Sequence, residues 1–226
     1  MKAVILAAGK GTRMRELTQA LPKPMLKVQG QPILEHIVRG IRAAGIREFC
    51  IVTGYCAETI ESHFGDGASW DASITYVRQE VQDGTGKAPE LARWFVGAES
   101  FVLTYGDILV LPETYRRMTE RFAEAPFSGL VTVTPGEDVT QGGINFFDEQ
   151  FCLRRIVEKP SAAQLELFEK DGWLRPGQPI WYNAGIYLFQ PVLFEFTARL
   201  TKSPRGEYEL PDAINTMLAA GPRLAG

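Results

Sequence analysis

From Leu6 to Met14 the chain reads L-A-A-G-K-G-T-R-M, a run of small residues placed where a first apolar strand should end. Leu6, Ala7 and Ala8 let a ligand approach the backbone closely, and Gly9 and Gly11 permit backbone angles that expose successive N–H groups to a phosphate. Thr12 and Arg13 follow directly. Such a loop at the carboxyl edge of a sheet is where nucleotides bind in open α/β folds. A tight strand-to-helix turn is the other reading, and for a lone Gly-x-Gly the two stand about even. Three known phosphate motifs do not fit. A dinucleotide fingerprint would need glycine at Met14, Walker A would need Ser or Thr where Ala88 follows Gly86-Lys87, and the kinase H-R-D is absent. Further on, Pro22 and Pro24 bracket Lys23, which is expected to hold that lysine in an extended segment as a fixed cation near the loop.

The elements that must position these residues emerge from short apolar runs alternating with amphipathic segments. Ala3–Ala8, Phe49–Thr53, Ser73–Val77 and Phe101–Thr104 read as strands, and 31–44, 57–64, 87–95 and 112–122 as the helices between them. Ile33, Ile37, Val38 and Ile41 share one helical face, and Gly45 is the expected stop. Strands buried on both faces should be nearly all apolar, as VILAA and SFVLTY are. The expected fold is α/β, a doubly wound, mixed but mainly parallel sheet flanked by helices. After Gly129 the pattern turns β-rich with short connections, so mixed or antiparallel strands are added to the parallel core, with helices at 161–170, 191–200 and 211–220. No linker or repeat marks a boundary, so residues 1–226 are read as one domain. About 1–128 form a nucleotide-binding half and about 129–226 an elaborated second half.

Together, Leu6-Ala-Ala-Gly-x-Gly-Thr-Arg13 and Pro22-Lys-Pro-Met25 resemble the signature of the sugar-phosphate nucleotidylyltransferases, enzymes that make nucleotide-sugars, glucose-1-phosphate thymidylyltransferase among them. The resemblance implies further sites. Asp107, in Tyr105-Gly106-Asp107, and Asp212, in G-E-Y-E-L-P-D-A-I-N, correspond to the metal-binding aspartates for Mg²⁺. Alone, Asp107 reads equally as an N-cap for the helix starting near Pro112, and Asp212 as a favourable first-turn charge. Gln79, Gly84 and Thr85 correspond to the base contacts, although the usual Gly-Thr-Ala reads Gly84-Thr85-Gly86 here. Glu158 of Glu158-Lys159-Pro160 corresponds to a ligand of sugar hydroxyls and Lys159 to a ligand of the sugar phosphate, against the plainer reading of an exposed strand-end ion pair. Gly143 and Asn183 match sugar contacts, and Asn183 before Ala-Gly reads equally as a turn residue.

The activity implied is transfer of a nucleotidyl group from a nucleoside triphosphate to a sugar 1-phosphate, with release of pyrophosphate. Arg13, Lys23 and Asp107 are its catalytic residues, and a homo-oligomer is compatible, since members commonly assemble as dimers or tetramers. Two alternatives stand beside it: a relative with a non-sugar acceptor such as phosphocholine, and a catalytically silent nucleotide-binding regulatory subunit.

Composition is consistent with this reading. The 226 residues are 45% apolar and 23% charged, and 24 basic against 27 acidic residues leave a net charge of −3 with the signs interspersed. Neither a nucleic-acid footprint nor a polybasic membrane patch is visible. No run reaches the roughly 18 apolar residues of a membrane span, and Ala3–Ala8 is too short for a signal peptide. The expectation is a cytoplasmic protein with Cys50, Cys56 and Cys152 reduced and buried. His36 and His63 are expected to be structural, and Trp70, Trp94, Trp173 and Trp181 to serve as core or pocket edge. No hexapeptide repeat follows the last motif, so no appended β-helix is expected.

Overall fold

A computed structural model describes residues 1–11, 21–136, 142–175 and 177–226. In chain order the strands and α-helices are β1 (Lys2–Leu6), β2 (Lys27–Val28), β3 (Gln31–Pro32), α1 (Ile33–Ala43), β4 (Glu48–Thr53), α2 (Ala57–Phe64), β5 (Ser73–Arg78), α3 (Arg93–Val96), β6 (Phe101–Tyr105) and α4 (Pro112–Ala123). They continue as β7 (Gly129–Pro135), β8 (Gly143–Phe147), β9 (Leu153–Glu158), α5 (Ala162–Lys170), β10 (Trp181–Phe189), α6 (Leu193–Thr197), α7 (Leu210–Ala219) and β11 (Leu224–Ala225).

Successive side chains of a strand point to opposite faces, and the central strands divide their apolar residues accordingly. Ala3 and Ile5 of β1, Phe49 and Ile51 of β4, and Val102 of β6 pack with α1, α2 and α4 through Ile37, Ile60 and Tyr115. Val4, Cys50, Val52, Phe101 and Leu103 pack on the other face with α3, α6 and α7 through Val96, Phe194 and Ile214. The result is a three-layer α/β/α sandwich, and burial on both faces is why these strands lack polar alternation. A smaller core of Ile144, Phe146, Val157 and Phe168 lies where α5 covers β8 and β9.

The main sheet runs β11-β7-β10-β6-β1-β4-β5, with β8 paired to β10 and β9. β5, β4, β1 and β6 are mutually parallel. Leu6 lies level with Val52 on one side and Tyr105 on the other, so the loops after β1, β4 and β6 leave the sheet at one edge. β10 runs antiparallel to β6, pairing Ile186 with Thr104, and its earlier residues therefore extend past the end of β6 at that same edge. Its register against β7 shifts between Asn183 and Tyr187, where Gly185 adopts φ +74°. A bulge of this kind re-aims side chains at a site.

Several local readings need correction. Residues 31–32 pair as a short strand, so α1 starts two residues later than periodicity placed it. The 87–95 segment is a 3₁₀ turn followed by one α turn, which ends at Gly97 with φ +62°. The 191–200 helix contracts to α6. Cys50 and Cys152 are buried but Cys56 is only half-buried; all three are free, and burial pushes the Cys50 thiol up to about 12. Trp94 and Trp173 are exposed rather than core. His36 Nε2 donates to the Val28 carbonyl at 2.9 Å and His63 Nε2 to the Glu35 carboxylate at 3.3 Å, both structural contacts. No helix among the described residues is long and apolar enough to cross a membrane.

The turn after β4 is shaped by close packing. A Cβ at Gly54 would lie 2.8 Å from both the Cβ and the carbonyl oxygen of Ala8. Gly54→Ala must push the Ala8 backbone aside, with an expected stability loss of about 1–3 kcal/mol and weaker triphosphate binding. Thermal unfolding together with nucleotide titration checks both, and an unchanged affinity would show that the loop after β1 does not depend on this contact.

Candidate active site

The loops at the shared edge enclose a cleft of about 340 Å³. Leu6, Ala7, Ala8, Gly9 and Gly11 line it from β1, Lys23 and Pro24 from the segment that follows, Gln79, Gly84 and Thr85 from beyond β5, and Asp107 from beyond β6. Thr12 and Arg13 lie outside the described residues.

Lys23 reaches the cleft by a different route from the extended one its flanking prolines imply. Pro22 is extended, but Lys23–Met25 form a 3₁₀ turn closed by the Met25 N–H donating to the Pro22 carbonyl at 2.8 Å. Pro24 sits at a first-turn position where its missing N–H costs nothing, and burial of Pro24 and Met25 anchors the turn. Gly106 then lets β6 approach closely: a Cβ there would stand 3.1 Å from both Ala7 and Pro24. This packing brings the Lys23 ammonium within 2.6 Å of the Asp107 carboxylate, each about one-third exposed. Asp107 does not cap α4; the N-cap is Leu111, without a side-chain hydrogen bond.

The loop after β5 is fixed at both ends. The Gln79 N–H donates to the Thr53 carbonyl at 2.8 Å, extending the β5 register. Tyr208 donates its N–H to the Asp83 carbonyl and accepts from the Gly86 N–H, both at 2.8 Å. Gly84, at φ +120°, lies so close to the Tyr208 backbone that no side chain fits. The Leu210 N–H donates to Thr85 Oγ1 at 3.3 Å, tying the start of α7, and with it Asp212 in the first turn, to the same loop.

Beyond the end of β6, Gly143, Glu158 and Asn183 come together. A Cβ on Gly143 would meet Glu158 Oε2 at 2.9 Å and the Asn183 Cβ at 3.4 Å. Glu158 is not an exposed ion-pair partner of Lys159: its carboxylate is largely buried, and burial first, with repulsion from Glu209 and Asp212, raises its pKa. Arg205 approaches it at 3.9 Å and pairs with Glu209 at 2.8 Å. Burial and the Glu209 charge likewise raise Asp212. Lys159 adopts φ +44°, a left-handed conformation that costs a non-glycine residue about 1 kcal/mol or more. Asn183 spends its amide locally, donating to the Tyr187 hydroxyl at 2.7 Å and accepting from the Gly185 N–H at 3.2 Å across the bulge.

A pair of tyrosines, Tyr187 buried and Tyr105 half-buried at the cleft, lies between the two groups. The Tyr105 ring lies against Gly185 and edge-on to Tyr187, with ring centroids 6.5 Å apart, and burial pushes its hydroxyl up to about 12. Sequence reasoning passed over Tyr105, Tyr187, Arg205 and the cleft-lining Gln82. Tyr105 and Arg205 sit beside quoted motifs, whereas Gln82 carries no sequence signal because its role arises from a contact 74 residues away.

Among the described residues no three carboxylate, histidine or cysteine side chains form a ready-made metal cage. The donor set nevertheless suits a hard cation: Asp107 faces the phosphate loop, and Glu158 and Asp212 carry raised pKa values that a nearby cation would relieve. Mg²⁺ usually takes one or two carboxylates and completes its shell with phosphate and water.

Comparison with known proteins extends this site to a family. The sequence matches the family model described as nucleotidyl transferase over residues 2–225. It is 32% identical over 222 residues to a low-salt glycan biosynthesis nucleotidyltransferase of Haloferax volcanii, covering 98% of this chain and 58% of that one. It is 31% identical over 224 residues to a UTP–glucose-1-phosphate uridylyltransferase of the same organism, covering 98% of this chain and 85% of the relative. A solved Bacillus anthracis chain, described provisionally as a glucose-1-phosphate thymidylyltransferase and crystallised with sucrose, superposes with a TM-score of 0.81 at 27% identity, covering 100% of this chain and 85% of that one. The chain spans 58% of the length of the Haloferax glycan-biosynthesis relative. Because the match runs from the first strand to the last and takes in both the phosphate loop and the Gly143–Glu158–Asn183 group, this chain belongs to the nucleotidyl transferase family, among the sugar-phosphate nucleotidylyltransferases.

Proposed function

We propose that the chain, as one nucleotidyltransferase domain over residues 1–226, transfers a nucleotidyl group from a nucleoside triphosphate to a sugar 1-phosphate. The observation that carries this reading is Tyr105, which lines the cleft with Thr85 and packs its ring against Gly185 and edge-on to Tyr187, the hydrogen-bond partner of Asn183. One aromatic side chain thus borders both substrate groups.

In the reaction, an oxygen of the sugar 1-phosphate forms a bond to the α-phosphorus while the bond to the bridging β-phosphate oxygen breaks. Pyrophosphate leaves with that electron pair. The attacking monoester is already anionic near neutral pH, so no general base is required, and neither His36 nor His63 is among the described residues lining the cleft. The barrier is repulsion between two polyanions, so catalysis rests on positioning and on charge placed in advance. The glycine-loop N–H groups and Lys23 bind the triphosphate, Arg13 meets the departing pyrophosphate, and Lys159 orients the attacking phosphate beside Glu158, which takes sugar hydroxyls. Asp107 and Asp212 would hold Mg²⁺, which supplies positive charge against the phosphates. In the free protein Lys23 and Asp107 neutralise each other, so both stay placed without a substrate. A cytoplasmic setting, where nucleoside triphosphates are available, belongs to the same proposal.

Pyrophosphate release measured over the common triphosphates with a panel of sugar 1-phosphates, and with phosphocholine, tests the reading. Turnover with a sugar 1-phosphate and none with phosphocholine is expected; tight triphosphate binding with no turnover on any acceptor would overturn it. Lys23→Ala and Asp107→Asn should each lower turnover at least about a hundredfold, as loss of one preorganised charge contact does, and near-normal release by either would remove that residue from the machinery.

Glu158 links function to stability. Its folded-state pKa is raised, so the folded state binds more protons between the unfolded and folded pKa values, and stability falls as pH rises through that window. Glu158→Gln should therefore unfold at a temperature a few degrees higher than the wild type at pH 8, a gap that closes below about pH 4.5. Its KM for the sugar 1-phosphate should rise at the same time. Melting curves across pH read the first effect and steady-state kinetics the second.

A further inference from the structure

Gln82 is an exposed loop residue whose amide is nonetheless fixed: Nε2 donates to the Ala8 carbonyl at 2.7 Å across 74 residues of sequence. Only the nitrogen end of that amide can donate to a carbonyl, so the partner determines its orientation. The same carbonyl accepts the Tyr55 N–H at 3.2 Å. With both lone pairs engaged and Gly54 packed against it, the Ala8 carbonyl is held toward β4 and the base-side loop. A trans peptide is planar, with its C=O and the following N–H pointing in opposite directions, and no cis bond occurs among the described residues. Pinning the Ala8 carbonyl therefore turns the Gly9 N–H the other way, and Gly9 has open space around its Cα where it borders the cleft.

We propose that Gln82 is a positioning residue for the triphosphate, holding the Ala8-Gly9 peptide so that the Gly9 N–H is presented to phosphate. The assignment deepens the nucleotidyl-transfer reading and rests on it. Gln79 and Gly84, on the same loop as Gln82, are held by Thr53 and Tyr208. Gln82 is the tie from that loop to the phosphate loop, so one segment faces the base and also sets the donor geometry for the phosphates. A glutamine here does what a purely apolar residue of equal length could not, because the carbonyl needs a second donor.

The test uses the full chain with Gln82→Met, which keeps the length and loses the donor, and Gln82→Glu, which sets a carboxylate against the carbonyl. Inorganic pyrophosphate binding by calorimetry, and its inhibition of turnover, read the phosphate donors without any base. For Gln82→Met, pyrophosphate binding and the triphosphate kcat/KM should fall together by about tenfold, the size of one lost hydrogen bond. Gln82→Glu should fall further, the KM for sugar 1-phosphate should move less than about twofold, and the melting temperature should stay near that of the wild type. Pyrophosphate affinity unchanged in both variants, or a sugar 1-phosphate KM shifted as much as the triphosphate KM, overturns the assignment. A wild-type chain that binds pyrophosphate yet turns over no substrate pair instead removes the activity reading, and the binding difference between wild type and Gln82→Met still decides the role of Gln82.

Discussion

The parallel register of β1 between β4 and β6 is the constraint on which the site depends. Because Leu6 lies level with Val52 and Tyr105, the chain leaves three neighbouring strands at one height, and backbone spacing alone sets the phosphate loop, the Gly54 turn and Gly106-Asp107 side by side. The chain crosses from β1 to β4 and β5 on one side and then returns past β1 to β6 on the other, and this reversal opens a crevice at the strand ends, where ligands of open α/β sheets bind. The crevice can narrow only where side chains are absent. Gly54 against Ala8, and Gly106 against Ala7 and Pro24, are the contacts that bring its walls together.

The second half of the chain solves a different problem, that of bringing further polar side chains to the same edge. A further parallel strand would carry its start to the opposite edge of the sheet. β10 is antiparallel to β6, so Trp181–Asn183 stand at the active edge, and β8 and β9, hung on that end through the Trp181–Asn145 pair, bring Gly143 and Glu158 with them. The bulge at Asn183 and the packing of Tyr105 against Gly185 and Tyr187 then bring this end up to the cleft that Tyr105 lines. Electrostatically the two halves differ. The Lys23–Asp107 pair is self-neutralising, whereas Glu158 and Asp212 crowd with Glu209, and among the described residues Arg205 is the cation that pairs with Glu158 and Glu209 in the hydrogen-bond and ion-pair geometry. Crowded like charges are a standing cost, which a cation and a polar substrate would relieve.

Much of this was legible in the chain itself. The central strands announce themselves because a strand covered on both faces must be continuously apolar, and the Leu6–Arg13 and Pro22–Met25 segments carry their chemistry in consecutive residues. Local conformation around proline was read less well. Lys23 turns in a 3₁₀ helix because burial of Pro24 and Met25 outweighs the extended preference that Pro24 places on its neighbour. Lys159 departs from that preference even further, into the left-handed region, since its N–H is held by the Gly142 carbonyl at 3.1 Å across the end of β8 and β9. In both places tertiary contacts worth more than a local propensity decided the backbone.

By itself, the sequence determined the layer architecture, the phosphate loop and the identities of the charged residues, because periodicity, glycine freedom and side-chain chemistry are properties of neighbouring positions. Only the tertiary structure decided which of those residues meet. The Lys23–Asp107 pair spans 84 residues, the Gln82 tie to Ala8 spans 74, and the Gly143–Glu158–Asn183 group is assembled from three strands. Such contacts are set by strand order, register and the close approaches that glycines allow, and these are resolved when both faces of the sheet are buried at once.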